Sequence, residues 1–248
     1  WGSLGFIIGG LMLGVAVELS GRDVIPWALW STLLLTIGVV FSLRRERWLV
    51  QNTQRFKFAL LAPLWARRDL RALYLAALLS RLTQHGLYGF LPLHLERLGV
   101  ADWWVPAYWS VGVLSEIVLI RNTPRLFGRL GTRRTLITAA SVAVLQFGLM
   151  AYWLNPWLLL AVMPLHGITF GVWYVASMEH LGQTVDPESR GVAQACFQIS
   201  AFGIGGTISA VSAGYLYAAG QGELMFGTAA VVSVGVALVV AFTFPRRA

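Results

Sequence analysis

The chain alternates long uncharged apolar runs with short connections that hold nearly all of its charge. Eight runs reach membrane length: roughly Trp1 to Val17, Pro26 to Leu43, Ala72 to Leu95, Trp104 to Ile120, Thr135 to Trp153, Trp157 to Ser177, Ala193 to Gly220 and Leu224 to Phe244. About 20 such residues cross the hydrocarbon of a bilayer. Backbone amides in lipid find no water to bond, and the in–out alternation of a barrel strand is missing, so each run is predicted to be a helix. The expected fold class is all-α and polytopic. Gly and Pro inside the runs, Pro164 among them, are tolerated in membrane helices. Small residues there let helices approach closely, as the G-x-x-x-G pairs Gly5-Gly9 and Gly10-Gly14 would.

Composition agrees with the pattern. Of 248 residues, 57% are apolar and 12% charged, about half the charge of a soluble domain. A formal net charge of +8 invites a nucleic-acid reading, but the distribution of the charge points to the lipid bilayer instead. The connection from Arg44 to Arg71 holds eight basic residues against Glu46 and Asp69, and that from Arg121 to Arg134 holds five Arg and no acid. The alternate connections carry almost nothing basic. By the positive-inside rule both ends are expected in the cytoplasm, in a multi-pass protein of the cytoplasmic membrane. The connection from Glu179 to Arg190 is off pattern in being net acidic. Trp27, Trp103, Trp104, Trp153 and Trp157 fall at the expected outer boundary as an aromatic belt. The single Cys196 excludes a disulfide framework within the chain and a multi-Cys metal site, and no cofactor is expected.

The long basic connection divides the chain. Residues 1–43 read as two helices, 44–71 as a cytoplasmic linker with a basic amphipathic stretch from Arg55 through Leu64 to Arg71 on the membrane surface. Residues 72–248 read as six helices in two triplets, 72–153 and 157–248. Six helices built from two triplets are the half-unit of major facilitator transporters.

Particular segments sharpen this. Gln84-His85-Gly86-Leu87-Tyr88-Gly89-Phe90 resembles the seventh helix of the phenylpropionate permease group, which is related to lactose permeases and nucleoside–proton symporters. Trp109-Ser110-Val111-Gly112-Val113-Leu114-Ser115-Glu116-Ile117 is similar to its eighth-helix W-x-x-G-V-x-x-E-I. Leu165-His166-Gly167-Ile168-Thr169-Phe170 is similar to its tenth-helix L-H-x-x-T-F. Trp1-Gly2-Ser3-Leu4-Gly5-Phe6 resembles the start of the fifth helix, and Arg190-Gly191 the loop before helix eleven. The resemblance implies a major facilitator fold with about 8 of 12 helices present, the missing N-terminal helices being a partner of this chain. Departures matter too. Gly128 stands where an acid often opens the facilitator loop motif. Gln146 and Thr169 stand where lactose permeases carry the Arg and Glu of proton coupling.

A charge near the bilayer centre costs about 2.5–3.5 kcal/mol on insertion scales and is seldom idle. Only Arg81 and Glu116 fall well inside the runs. With His166, whose imidazole can move a proton near neutral pH, they are the proton-coupling candidates, the alternative being an Arg81–Glu116 ion pair or a structural His. Arg81, His85 and Tyr88 share a helix face at i, i+4, i+7, and Glu116 shares one with Trp109. His166 shares its face with Thr169, Phe170 and Trp173. The cavity candidates are His85, Tyr88, Trp109, Gln146, Thr169, Trp173 and Gln198. His94 and His180 are expected at the membrane boundaries.

No H-E-x-x-H, G-x-S-x-G, P-loop or Cys/His cluster is present, which argues against an enzyme. The expected activity is secondary transport: proton-coupled symport of a small-molecule substrate (aromatic acid, nucleoside or sugar). The alternative is a non-transporting receptor of the same fold.

Overall fold

The computed structural model describes residues 2–43 and 58–244, with side chains at all of these except 43, 58, 85, 126 and 127. Half of the expected linker, residues 44–57, lies outside them. The described chain is helical throughout, with α1 over Gly2–Ser20, α2 over Val24–Leu43, α3 over Leu61–Ala66, α4 over Arg68–Arg97, α5 over Val105–Phe127 and α6 over Gly131–Tyr152. Then come α7 over Pro156–Val162, a 3₁₀ turn at Met163–Leu165, a π segment at Gly167–Val172 and α8 over Trp173–Thr184. Helix α9 covers Pro187–Gln198, a second π segment Ile199–Gly205, and α10 Gly206–Thr243.

Among the described residues, six helical runs are long and apolar enough to cross a membrane. Two features bring the crossings to eight. The run Pro187–Thr243 is broken at Gln221, where φ is 54° and ψ −148°, and so folds back as two spans. Helix α4 fails on apolarity because Arg81, Gln84 and its polar ends dilute it. Yet it buries Leu73, Tyr74, Leu87, Leu91 and Leu95 completely or nearly so. Its thirty residues reach about 45 Å at 1.5 Å per residue, enough to cross with a turn to spare at each end.

The helix ends are coded locally. Gly99 adopts φ 76°, its N–H bonds Glu96 O at 3.0 Å, and Val100 N–H bonds Leu95 O at 3.0 Å; this is a Schellman stop, which a side chain at 99 would strain. Asn155 caps α7 by accepting from Trp157 N–H at 2.9 Å, with Pro156 in the first turn where it forfeits no bond. At the face bearing the arginine-rich connections, Arg67 binds Asp69 and donates to Thr184 O, both at 2.5 Å, so α4 is tied to α8. Burial opposes ionisation of Asp69, but Arg67 still holds its carboxyl below the usual range.

Two apolar cores fill the six later spans. One gathers Leu73, Tyr74, Leu136, Trp173, Leu181 and Phe197; the other gathers Leu87, Leu91, Phe147, Met150, Leu159 and Phe226. Helices α1 and α2 stand apart from both. Helix α1 buries only Ile7 and Gly14, and α2 buries nothing among the described residues. Their attachment is at one end. A Cβ built on Gly14 would lie 3.0 Å from Pro106 Cγ and Trp103 O, whereas Gly2, Gly5 and Gly9 face open space. At that end Arg22 grips Asp102 through two bonds of 2.5 and 3.0 Å and Glu96 through one of 2.9 Å.

Candidate functional site

Between the two cores α4, α5, α6 and the first π segment meet in a polar and aromatic layer. Pro164, which has no N–H to donate to the preceding turn, sits within the 3₁₀ turn, and the π segment begins three residues later. Single π turns inside helices are frequent at functional sites. Two glycines let this irregular stretch press on α5. A Cβ on Gly167 would sit 2.7 Å from Ser115 C and 2.8 Å from Glu116 N, and one on Gly171 would sit 2.9 Å from Glu116 Cγ. Ser115 Oγ bonds across the seam to Pro164 O at 2.8 Å.

The aromatic part is compact. Tyr88 stacks on Trp109 with centroids 4.9 Å apart and meets His166 and Phe170 edge-on. His166 stacks on Phe170 at 5.4 Å. Tyr88 Oη and His166 Nε2 are 3.1 Å apart, the donor being set by the imidazole tautomer. His166 is 1% exposed, and its Nδ1 has no partner among the described residues.

Arg81 lies half-buried at the edge of this cluster. Its guanidinium carbon is 5.0 Å from the Tyr88 ring centroid and 4.6 Å from that of Phe202, on the second π segment. Among the described residues it has no ion-pair partner, and its Nε is buried without a hydrogen bond. The Arg81–Glu116 pair weighed from the sequence does not form; Glu116 packs against Gly171 of the first π segment.

Behind the rings runs a buried relay. Gln84 Nε2 donates to Thr169 Oγ1 at 3.2 Å, and Thr169 Oγ1 donates to Gln146 Oε1 at 2.8 Å. Gln84 Oε1 and Gln146 Nε2 are left over. A small, half-open cleft of about 20 Å³ lies against Arg81 and Gln84, with Phe170, Trp173, Tyr174 and Phe202 around it.

The structure thus brings Arg81, Tyr88, Trp109, Gln146, His166, Thr169 and Trp173 around one layer. Glu116 stands beside it across Gly171. Gln198 is exposed and spends its amide on Tyr174 Oη at 3.1 Å, one residue removed from the cleft. The side chain of His85 lies outside the described residues. Sequence reasoning missed Phe202 and Tyr174; the only linear signal was the glycine cluster Gly203, Gly205, Gly206 beside Phe202. His94, in the last turn of α4, is fully buried against Gly222 and Phe226.

The fold and site define a class: a polytopic all-helical membrane protein with a polar and aromatic layer inside its bundle, and no cluster of potential metal ligands among the described residues. The model of the MFS_1 like family matches residues 1–228. The chain belongs to that family. It is 30% identical over 225 residues to a probable 3-phenylpropionic acid transporter of Escherichia coli, covering 88% of this chain and 57% of that protein. An uncharacterized MFS-type transporter of Yersinia enterocolitica is 29% identical over 149 residues, 57% of this chain and 37% of the relative. The crystal structure of a mutant of the nucleoside transporter NupG superposes with a TM-score of 0.75 at 22% identity. The match covers 98% of this chain and 65% of the other. The chain thus spans less than two thirds of these relatives. Fold and relatives are those of transporters, not enzymes.

Proposed function

We propose that the chain belongs to a proton-coupled secondary transporter of a small organic solute, and that the site suits an aryl carboxylate best. One observation carries the reading. Arg81 is a cation at mid-membrane depth, held over Tyr88 and Phe202, with no carboxylate among the described residues to compensate it. An anionic substrate would supply the missing charge, and a charge-assisted hydrogen bond contributes about 1.5–3 kcal/mol. The faces of Tyr88, Trp109 and Phe170 offer flat apolar surface to an aryl ring. The name of the Escherichia coli relative points the same way. A sugar or a nucleoside would leave Arg81 uncompensated.

Coupling follows from the same charges. Glu116 also lacks a polar partner among the described residues and sits against Gly171. Loaded together, a substrate anion neutralises Arg81 and a proton neutralises Glu116, so the loaded site carries no bare charge through the bilayer. His166, bonded to Tyr88, is the second proton candidate. In this reading α1 and α2 belong to one half of a rocking carrier and residues 72–248 to the other. Both ends lie in the cytoplasm, and the Arg22 end of the molecule faces outward in the cytoplasmic membrane.

The test is uptake of labelled 3-phenylpropionate by proteoliposomes, with and without an inward proton gradient. Accumulation should require the gradient and should vanish in Glu116→Gln, with protein abundance and substrate exchange retained. Uptake indifferent to the gradient removes the coupling, better uptake of uridine removes the substrate class, and binding without uptake makes the protein a receptor.

A further inference from the structure

The connection from Arg121 to Arg134 carries five arginines and no carboxylate. Arg133 donates to Ala241 O at 2.6 Å. Arg121, Arg125, Arg129 and Arg134 are exposed, and none forms an ion pair with a carboxylate among the described residues. Arg121 and Arg125 are one turn apart near the end of α5 and share a face. Arg129 lies in the turn, and Arg133 and Arg134 lie in the first turn of α6. The ends of two membrane-spanning helices put this array at headgroup depth.

Its field is not offset locally. The first turn of α6 has no acidic residue and no side-chain cap, so the positive end of the helix dipole adds to the arginines instead of being answered by an acid. Glu179 lines the adjoining cleft with Thr132 and Thr135 and accepts from Gln183 at 3.0 Å. It pairs with none of the arginines among the described residues.

We propose that this rim binds the phosphate groups of anionic phospholipids and anchors the α5–α6 end of the bundle to an acidic leaflet. The inference is independent of the transport reading. The full chain in non-ionic detergent would be titrated with phosphatidylglycerol, phosphatidylcholine or inorganic phosphate, with bound lipid counted by native mass spectrometry and thermal unfolding followed in parallel. Phosphatidylglycerol should bind at least tenfold tighter than phosphatidylcholine, and the preference should fade at high salt because exposed charges are screened. Removing an arginine should weaken binding about fivefold, so Arg121→Gln/Arg125→Gln/Arg129→Gln should lose roughly a hundredfold. Equal binding of the two lipids, or an unchanged affinity in the triple variant, overturns the proposal. So does an equal thermal shift with inorganic phosphate, which would mean a general anion site. Salt-insensitive lipid binding by the unmodified chain overturns it even where the triple variant fails to fold.

Discussion

Replacing Arg81 by Gln separates the two roles that a lone mid-membrane cation can have. Removing the charge relieves an insertion cost of about 2.5–3.5 kcal/mol. It also removes two cation–π contacts, at 5.0 and 4.6 Å, together worth about 2–3 kcal/mol when partly desolvated. These effects nearly cancel. Net stability should change by no more than about 1 kcal/mol, a shift of roughly 2–4 °C in thermal midpoint for a chain of this size. Substrate binding has no such compensation. Loss of a charge-assisted bond of about 1.5–3 kcal/mol should weaken an aryl carboxylate roughly 10- to 150-fold. The neutral analogue 3-phenylpropanol should bind the variant and the parent equally. Arg81→Lys keeps the charge but loses the planar stack and should fall between. The assay is equilibrium binding of labelled acid and alcohol to purified protein at neutral pH, with thermal unfolding alongside. An equal loss of affinity for acid and alcohol would refute the anion role, and a collapse of protein abundance would return Arg81 to architecture.

Three further outcomes test the geometry. Gly167→Ala places a methyl within 2.7–2.8 Å of α5 backbone and should cost about 1–3 kcal/mol by overpacking, whereas Gly148→Ala, which meets nothing within 4 Å, should leave the thermal midpoint unchanged. Gln221→Gly should raise the midpoint by relieving φ 54°, ψ −148°, a strain of about 1 kcal/mol or more; a lower midpoint would mean the Gln side chain matters more than its backbone. A Cβ on Gly10 would lie 3.8 Å from Pro106 Cβ, the usual spacing across a disulfide. In a Cys196→Ser background, Gly10→Cys with Pro106→Cys should therefore crosslink on mild oxidation. Arg22→Ala should slow that crosslink, and Arg22→Asp with Asp102→Arg should restore it.

Much of this architecture is legible in the sequence because lipid leaves few choices. Apolar length sets the spans, and the one helix that fails on apolarity, α4, was still readable because its charge is a single Arg81. Regular spacing was equally reliable: Arg81 and Tyr88 do share a face, as i, i+7 requires. The π segments were not legible. Their i→i+5 bonding inserts an extra residue into a turn and rotates the succeeding turns relative to an α-helical wheel. Trp173 accordingly belongs to an apolar core as well as to the cleft edge. Phe202 reaches Arg81 although nothing in the linear pattern pairs them, and Gln198, one of the cavity candidates, ends on Tyr174. The burial of His94 was hidden for a different reason. It depends on Gly222 having no side chain, since a Cβ there would sit 2.1 Å from Nδ1.

Polar residues inside a helical bundle can serve as interhelical glue, and glue has a structural signature: donors and acceptors are matched, because each unmatched buried group costs about 1–3 kcal/mol. Several polar groups elsewhere obey that rule, as Ser209 donating to Leu82 O at 2.9 Å and Ser177 donating to Trp173 O at 2.9 Å do, while Tyr74 Oη and both ring nitrogens of His94 are scattered exceptions. In the layer around Arg81 the exceptions gather. Arg81 Nε, Gln84 Oε1, Gln146 Nε2 and His166 Nδ1 are all buried without a partner among the described residues. They lie beside two π segments whose own backbone bonding is less regular than that of an α-helix. Packing alone would favour apolar replacements at every one of these positions. Unmet donors, an unmet acceptor and an uncompensated cation gathered at one depth describe a surface incomplete without a ligand. They support the proposal that these residues contact the substrate.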